Sequence, residues 1–326
     1  MNFRENRFAR SAITLLTAQF VAQIQISALG HQQENASNSG SEDVRGNSIR
    51  STLRNRIKNR LGKLNQHTDV ECSKLQVAGL NVAVWKSSRK GKSPLVIFSH
   101  GFGGSSTQTV FLMNALAKAG YTVVAPDHKD AHGSSETHFR PQVSFKKVEQ
   151  WSDQTYVDRH NDIVNLIAAL HANPAWNNEI NWNELALCGH SLGGYTVLGL
   201  AGAWPTWKIP GIKAVIALSP YVTPYIANGA LEDLHTPVMY QGGTRDFGIT
   251  PFVKKPGGAY AKTSSPAYFI EFNEFNHFSW SSFNRDREKQ NEIDYYCVAF
   301  LDKYVRGEDD GKLEKKLADV VDFQVK

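Results

Sequence analysis

The chain has 326 residues, 41% of them hydrophobic and 21% charged, with a formal net charge of +5. That balance excludes a chain disordered throughout and a multispanning membrane protein, and the length suits one large catalytic domain with a terminal extension. The positive excess sits in an Arg- and Lys-rich stretch near residues 45–63, so the rest of the chain lacks the basic surface that nucleic-acid binding requires.

Arg4, Arg7 and Arg10 precede a fairly apolar stretch, Ala12 to Leu29, that ends in Ala28-Leu29-Gly30. This is the order of a secretory signal peptide with small residues at its cleavage site. Thr14, Thr17, Gln19, Gln23 and Gln25 interrupt the stretch and argue against a membrane-spanning helix. Residues 1–30 are therefore expected to direct secretion or export to a periplasm; the alternative is an uncleaved or organelle-targeting extension on a cytoplasmic or organellar protein. Residues 31–69 read as a polar linker followed by a basic amphipathic segment. In the latter, Ile49, Leu53, Ile57, Leu61 and Leu64 recur at helical spacing among Arg50, Arg54, Arg56, Lys58 and Arg60. Residues 45–65 are expected either to touch anionic lipid peripherally or to pack on the catalytic body.

From about Leu75, short apolar runs alternate with amphipathic segments, the order of a mostly parallel central sheet flanked by helices, and residues 70–326 are read as one catalytic domain. Strands are predicted at Leu75–Val77, Val82–Trp85, Pro94–Ser99, Tyr121–Ala125, Leu185–Cys188, Ala214–Leu218, Val238–Gln241 and Ala267–Phe272. Phe111, Leu112, Ala115, Leu116 and Ala119 share one helical face, and Gly120 falls where a left-handed C-cap is expected. Val157, Val164, Ile167 and Leu170 mark a second helix, with Asn-rich turns before the strand at Leu185. Ile293, Cys297, Phe300 and Tyr304 mark a closing helix. A polar stretch without a period runs from Asp130 to Gln154 and carries Phe139, Phe145 and Trp151. It reads either as a partial lid or as a surface excursion whose aromatics tuck into the core. Of the three cysteines, Cys72, Cys188 and Cys297, at most one pair can form a disulfide, and Cys188 reads as a buried thiol.

The chemistry concentrates in Leu185-Ala186-Leu187-Cys188-Gly189-His190-Ser191-Leu192-Gly193-Gly194, an apolar strand followed by G-x-S-x-G and a run of small residues. A serine at a tight strand-to-helix turn exposes its hydroxyl only if the neighbouring side chains are removed, which Gly189 and Gly193 achieve. Ser191 is the predicted nucleophile. An oxyanion hole needs one N–H from the following residue, Leu192, and one from a loop after an earlier strand. Ser99-His100-Gly101-Phe102-Gly103-Gly104 supplies that loop and makes Phe102 the second donor, while His100 is expected to fix the loop through hydrogen bonds. The fold's chain order of serine, acid, histidine leaves His235 and His277 as bases. His235 precedes a strand, whereas His277 follows the last predicted one. Asp246 follows the strand Val238–Gln241 at the same edge; Glu232 and Asp233 precede it and read as surface residues. Asp246 is thus expected to accept a hydrogen bond from His277. No cofactor is called for, because this set completes acyl transfer unaided; His128, His132 and His138 are spaced too irregularly for a metal site.

With these motifs in place, the chain resembles the dienelactone hydrolase and platelet-activating-factor acetylhydrolase-like branch of the α/β-hydrolases, and is similar to the cutinase and polyester-hydrolase group. The resemblance rests on FSHGFGGSS at 98–106, GYTVVAPDHKD at 120–130, GHSLGGYT at 189–196, ALSPY at 217–221, QGGTRD at 241–246 and NHFSW at 276–280, within roughly residues 75–305. It implies an α/β-hydrolase fold and a metal-free serine esterase acting on a small-molecule or lipid ester. It also implies that Phe102, Tyr221 and Trp280 line the acyl or alcohol pocket, core packing being the alternative for these aromatics. Dienelactone hydrolases proper use a cysteine where this chain has Ser191, so lactone activity is not inherited. Acyl transfer to another acceptor and a catalytically silent binding protein are the competing readings.

Overall fold

The structure is a computed structural model and describes residues 70–88, 90–132 and 140–326. The expected export sequence at 1–30, the linker and amphipathic segment at 31–69, His138 and Phe139 lie outside the described residues. The first two strands, β1 (Val70–Val77) and β2 (Leu80–Ser87), form a hairpin in which Val77 pairs with Leu80. The two turn residues both have positive φ, 52° at Ala78 and 80° at Gly79, which matches the turn to the twist of the strands.

Then follow β3 (Ser93–Ser99), α1 (Val110–Lys118), β4 (Thr122–Pro126), α2 (Val157–Ala172), α3 (Pro174–Glu179), β5 (Ile180–His190), α4 (Leu192–Leu198) and β6 (Ile212–Leu218). The chain closes with α5 (Thr223–Ala227), β7 (Val238–Gly243), α6 (Thr250–Lys254), α7 (Ala259–Lys262), β8 (Ala267–Phe272), α8 (Arg287–Leu301) and β9 (Val320–Val325). The strands form one sheet in the order β1-β2-β4-β3-β5-β6-β7-β8-β9. Pairing is parallel from β4 through β3 to β8, and antiparallel where β1, β2 and β9 join. This is the mostly parallel, helix-flanked α/β sheet the alternation of elements predicts.

Both faces of the central strands are dry. On β3, Val96 and Phe98 join a core with Leu112, Leu116, Ile293, Cys297 and Phe300 of α1 and α8. Leu95 and Ile97 point the other way and are equally buried, as a strand covered on both faces requires. Helix α1 ends as predicted. Gly120 takes φ 97°, its N–H donates to Ala117 O and that of Tyr121 to Leu116 O, the paired bonds of a Schellman cap.

Three elements differ from expectation. Residues 181–184 are not turns but the first half of β5, whose pairing with β3 shifts register between Pro94 and Leu95. The closing helix starts earlier, at Arg287, because the Asp286 carboxylate accepts from the N–H groups of Glu288 and Lys289. Strand β9 is an added edge strand with a largely half-exposed face.

Candidate active site

Because β3, β5, β6, β7 and β8 run parallel, the loops after their carboxyl ends meet along one edge of the sheet, and every predicted chemical residue lies in those loops. Ser191 occupies the turn between β5 and α4 with φ 56° and ψ −116°, a conformation unfavourable for any residue but glycine. The turn closes only because its flanks lack side chains. A Cβ on Gly189 would lie 2.3 Å from Gly193 O, and one on Gly193 would lie 1.9 Å from Ser99 O. Main-chain bonds then pin the elbow, with Ser191 N–H donating to Leu218 O at 3.0 Å and Tyr221 N–H donating to Ser191 O at 3.0 Å.

Ser191 Oγ lies 2.9 Å from His277 Nε2, although 86 positions separate them in the chain. On the far side of the ring, Nδ1 is 2.7 Å from Ser219 Oγ and 3.4 Å from Asp246 Oδ1. Ser219 Oγ donates to Asp246 Oδ2 at 2.6 Å, and Thr250 Oγ1 donates to the same oxygen at 3.1 Å. The structure therefore brings Ser191, His277 and Asp246 together, with Asp246 Oδ1 in a long ion-pair contact with the ring and the Ser219 hydroxyl bridging the ring and the other carboxylate oxygen. Ser191, His277 and Asp246 are all buried. The competitors sit elsewhere: Glu232, Asp233 and His235 are exposed ahead of β7.

Leu192 opens α4, where the first N–H groups of a helix lack intrahelical acceptors. Phe102 lies in the loop after β3, which a buried polar network holds. The fully buried Arg159 guanidinium of α2 donates to both carboxylate oxygens of Asp130, at 2.7 and 3.1 Å. It also reaches His100 O at 2.7 Å and Gly101 O at 3.3 Å, so one side chain clamps two consecutive carbonyls of the loop. Burial alone would raise the Asp130 carboxyl; Arg159 overrides it and holds the group at about 2. His100 fixes the loop as expected. Its Nδ1–H donates to Gly101 O and its Nε2 accepts from His128 N–H, a neutral tautomer in keeping with burial and the nearby Arg159 pushing it down to about 3. His128 bonds to Ser99 Oγ and Asp162 instead of joining His132 in a cluster. Among the described residues no group of three or more His, Cys, Asp or Glu is placed to hold a metal ion.

Gln108 is a contributor that sequence reasoning misses. Its Oε1 accepts from Gly101 N–H at 2.7 Å, which orients the amide so that Nε2 donates to His190 Nδ1 at 2.6 Å. His190 Nε2–H then donates to the carbonyl of His277 at 2.8 Å. Burial, and next the neighbouring His277, push His190 well below the usual imidazole range, so it stays neutral in this relay.

The three predicted pocket aromatics part company. Phe102 and Tyr221 both pack against Phe145, with ring centroids 5.8 and 5.0 Å away, and the Tyr221 hydroxyl donates to Phe145 O. Phe145 brings the described part of the 130–154 stretch against the site, while Trp151 of the same stretch is buried among Tyr156, Tyr195 and Tyr221. Trp280 does not join them. It is fully buried in the core beside Phe275, with its indole N–H on Gln241 Oε1.

Comparison with known proteins adds an independent line. The Hydrolase_4 family, described as serine aminopeptidase, S33, matches residues 91–239. Cutinase est1 of Thermobifida alba is 25% identical over 212 residues, covering 64% of this chain and 60% of the relative. Esterase YjfP of Escherichia coli (strain K12) is 34% identical over 116 residues, covering 35% of this chain and 41% of the relative. Cutinase est2 of Thermobifida alba is 24% identical over 211 residues, 64% of this chain and 59% of the relative. The chain thus spans 60% or less of the length of these curated relatives.

Proposed function

We propose that this chain is a serine hydrolase of the α/β-hydrolase superfamily that cleaves carboxylic esters through an acyl-enzyme on Ser191. The observation that carries the reading is the 2.9 Å contact between Ser191 Oγ and His277 Nε2 at a strained, glycine-flanked elbow. Relatives bearing the names cutinase and esterase support the same substrate class.

In the proposed cycle, His277 Nε2 takes the Ser191 proton as Oγ attacks the ester carbonyl carbon, and the Phe102 and Leu192 N–H groups receive the charge that develops on the carbonyl oxygen. The proton passes to the departing alkoxide, which leaves as the alcohol. Water, deprotonated by His277, then attacks the acyl carbonyl, and His277 returns that proton to Ser191 Oγ as the acid departs. Asp246 stabilises the imidazolium without taking a proton. The acyl or alcohol group would rest against Phe102, Phe145 and Tyr221.

Hydrolysis of p-nitrophenyl esters from acetate to palmitate by the full chain, beside Ser191→Ala, tests the reading. The parent should turn over, and the variant should lose about 10⁶-fold in kcat. Cleavage of aminoacyl p-nitroanilides in preference to esters would move the assignment to a peptidase. Ester product captured by an added alcohol in preference to water would move it to acyl transfer.

A further inference from the structure

The direct contact between the acid and the base of the site is a long ion pair without the alignment of a hydrogen bond. Asp246 Oδ1 is buried, stands 3.4 Å from His277 Nδ1 and finds no hydrogen-bond partner among the described residues. Between them sits Ser219 Oγ, 2.7 Å from Nδ1 and 2.6 Å from Asp246 Oδ2. A hydroxyl has one proton and can accept as well as donate. The Ser219 hydroxyl spends its one proton on Asp246 Oδ2, so toward the ring it accepts, from His277 Nδ1–H. Both bonds then run in one direction, from imidazole to hydroxyl to carboxylate, and the Nε2 lone pair is left facing Ser191.

Ser219 is built into this place. It follows β6 directly, is fully buried and has φ 41°, a conformation that costs a residue with a Cβ. Its N–H donates to Gln241 O at 2.8 Å, tying it to β7, the strand that leads into Asp246. A strained, dry serine whose hydroxyl bonds both members of the acid–base pair is a poor choice for packing alone.

We infer that Ser219 is a positioning residue through which Asp246 holds and polarises His277. The inference rests on the proposed role of His277 as base. During the reaction the proton moves from Ser191 Oγ to Nε2 only; the Nδ1–H and the Ser219 hydroxyl proton stay on their own atoms, and both bonds tighten as the ring becomes cationic.

The test compares the full chain with Ser219→Ala and Ser219→Thr in three readouts: the pH profile of kcat/KM on p-nitrophenyl acetate, the urea midpoint, and the downfield proton resonance of His277 Nδ1–H, identified by its loss in His277→Ala. Removing a hydrogen bond to a group that becomes charged is expected to lower kcat/KM about 10- to 100-fold in Ser219→Ala. The acid limb of the profile should move to lower pH, since the imidazolium loses its acceptor, and the resonance should shift or vanish. Ser219→Thr keeps the hydroxyl but places a β-branched residue at positive φ, so it should lose stability while retaining the parental limb and resonance. If Ser219→Ala keeps the parental rate, limb and resonance, the proposal is wrong. An inactive parent would instead overturn the esterase reading, and the resonance in the parent and Ser219→Ala would still decide whether Ser219 accepts the Nδ1 proton.

Discussion

Gln108 grips His190 while holding the loop after β3: one amide takes Gly101 N–H on its oxygen and gives Nε2–H to His190 Nδ1. Since His190 Nε2–H donates in turn to His277 O, the loops after β3 and β8 are joined through two side chains in series, Gln108 and His190. Replacing Gln108 by Leu leaves Gly101 N–H and His190 Nδ1 without partners. The expected result is a loss of about 1 to 3 kcal/mol in stability. Because the proposed donor Phe102 adjoins Gly101, kcat should fall by about 10²-fold, the typical cost of an ångström-scale misplacement. Gln108→Glu should not rescue, because a carboxylate cannot donate to Nδ1. Urea denaturation and ester kinetics on both variants decide the matter; a Gln108→Leu protein with the parental kcat would show that the relay is dispensable.

Gly189 and Gly193 should tolerate no side chain. The Cβ of Gly193→Ala would collide with the Ser99 carbonyl, main chain that cannot swing aside, and Gly189→Ala would strike the carbonyl of Gly193. Overpacking of this kind costs about 1 to 3 kcal/mol when neighbours can shift, and more where they are backbone. Gly104→Ala, whose Cβ would displace the flexible Gln108 amide and lie 3.0 Å from Gly101 O, should still fold, losing the stability and activity that Gln108→Leu loses. Thermal melting beside turnover separates these outcomes.

The elbow and the sheet are legible because they depend on local pattern: a buried apolar run, two glycines at fixed spacing, and a chain order that leaves few candidates after Ser191. Ser219 and Gln108 are not, since their partners lie 27 and 82 positions away and only the alignment of β3, β5, β6, β7 and their loops brings them near. Trp280 misleads by adjacency. Turns in which Ser279 N–H bonds to Asn276 O and Ser281 N–H to Phe278 O carry the indole into the core, onto Gln241. The helices α5 and α6 have five residues each, too few to show a helical period. The half-exposed strand β9 lacks the strict alternation that marks a covered face.

Arg159 escapes a periodicity reading for a different reason, since a charged residue near a helix start ordinarily faces water, yet here it is buried against Asp130 and the loop carbonyls. Removing one partner of such a pair strands the other. Arg159→Met should therefore cost about 3 to 5 kcal/mol. Arg159→Lys should rescue poorly, because a single ammonium cannot serve Asp130 in two places and still reach the carbonyls of His100 and Gly101. Urea midpoints for the two variants check the ordering. A lysine variant as stable as the parent would mean that charge alone, and not the fork of donors, holds the loop.

Acid should weaken the fold well above the carboxylate range. His100 and His190 each donate from one ring nitrogen and accept on the other, so protonating either breaks an accepted bond, and burial holds both down, His100 to about 3. The unfolded chain takes up those protons near pH 6.5, as free imidazole does, while the folded chain refuses them. Stability from each group is thus complete above about pH 6.5 and declines below it at up to about 1.4 kcal/mol per pH unit. Asp162 and Asp294, raised by burial to about 6 and about 7, work in the opposite sense by holding protons that the unfolded chain has released. A difference measurement removes that offset: between pH 5 and 6, the dependence of unfolding free energy on pH should be shallower in His190→Gln than in the parent by about one proton. Equal slopes would mean that His190 is charged in the folded protein, and the relay from Gln108 to His277 would then have to run through a cation that donates from both nitrogens.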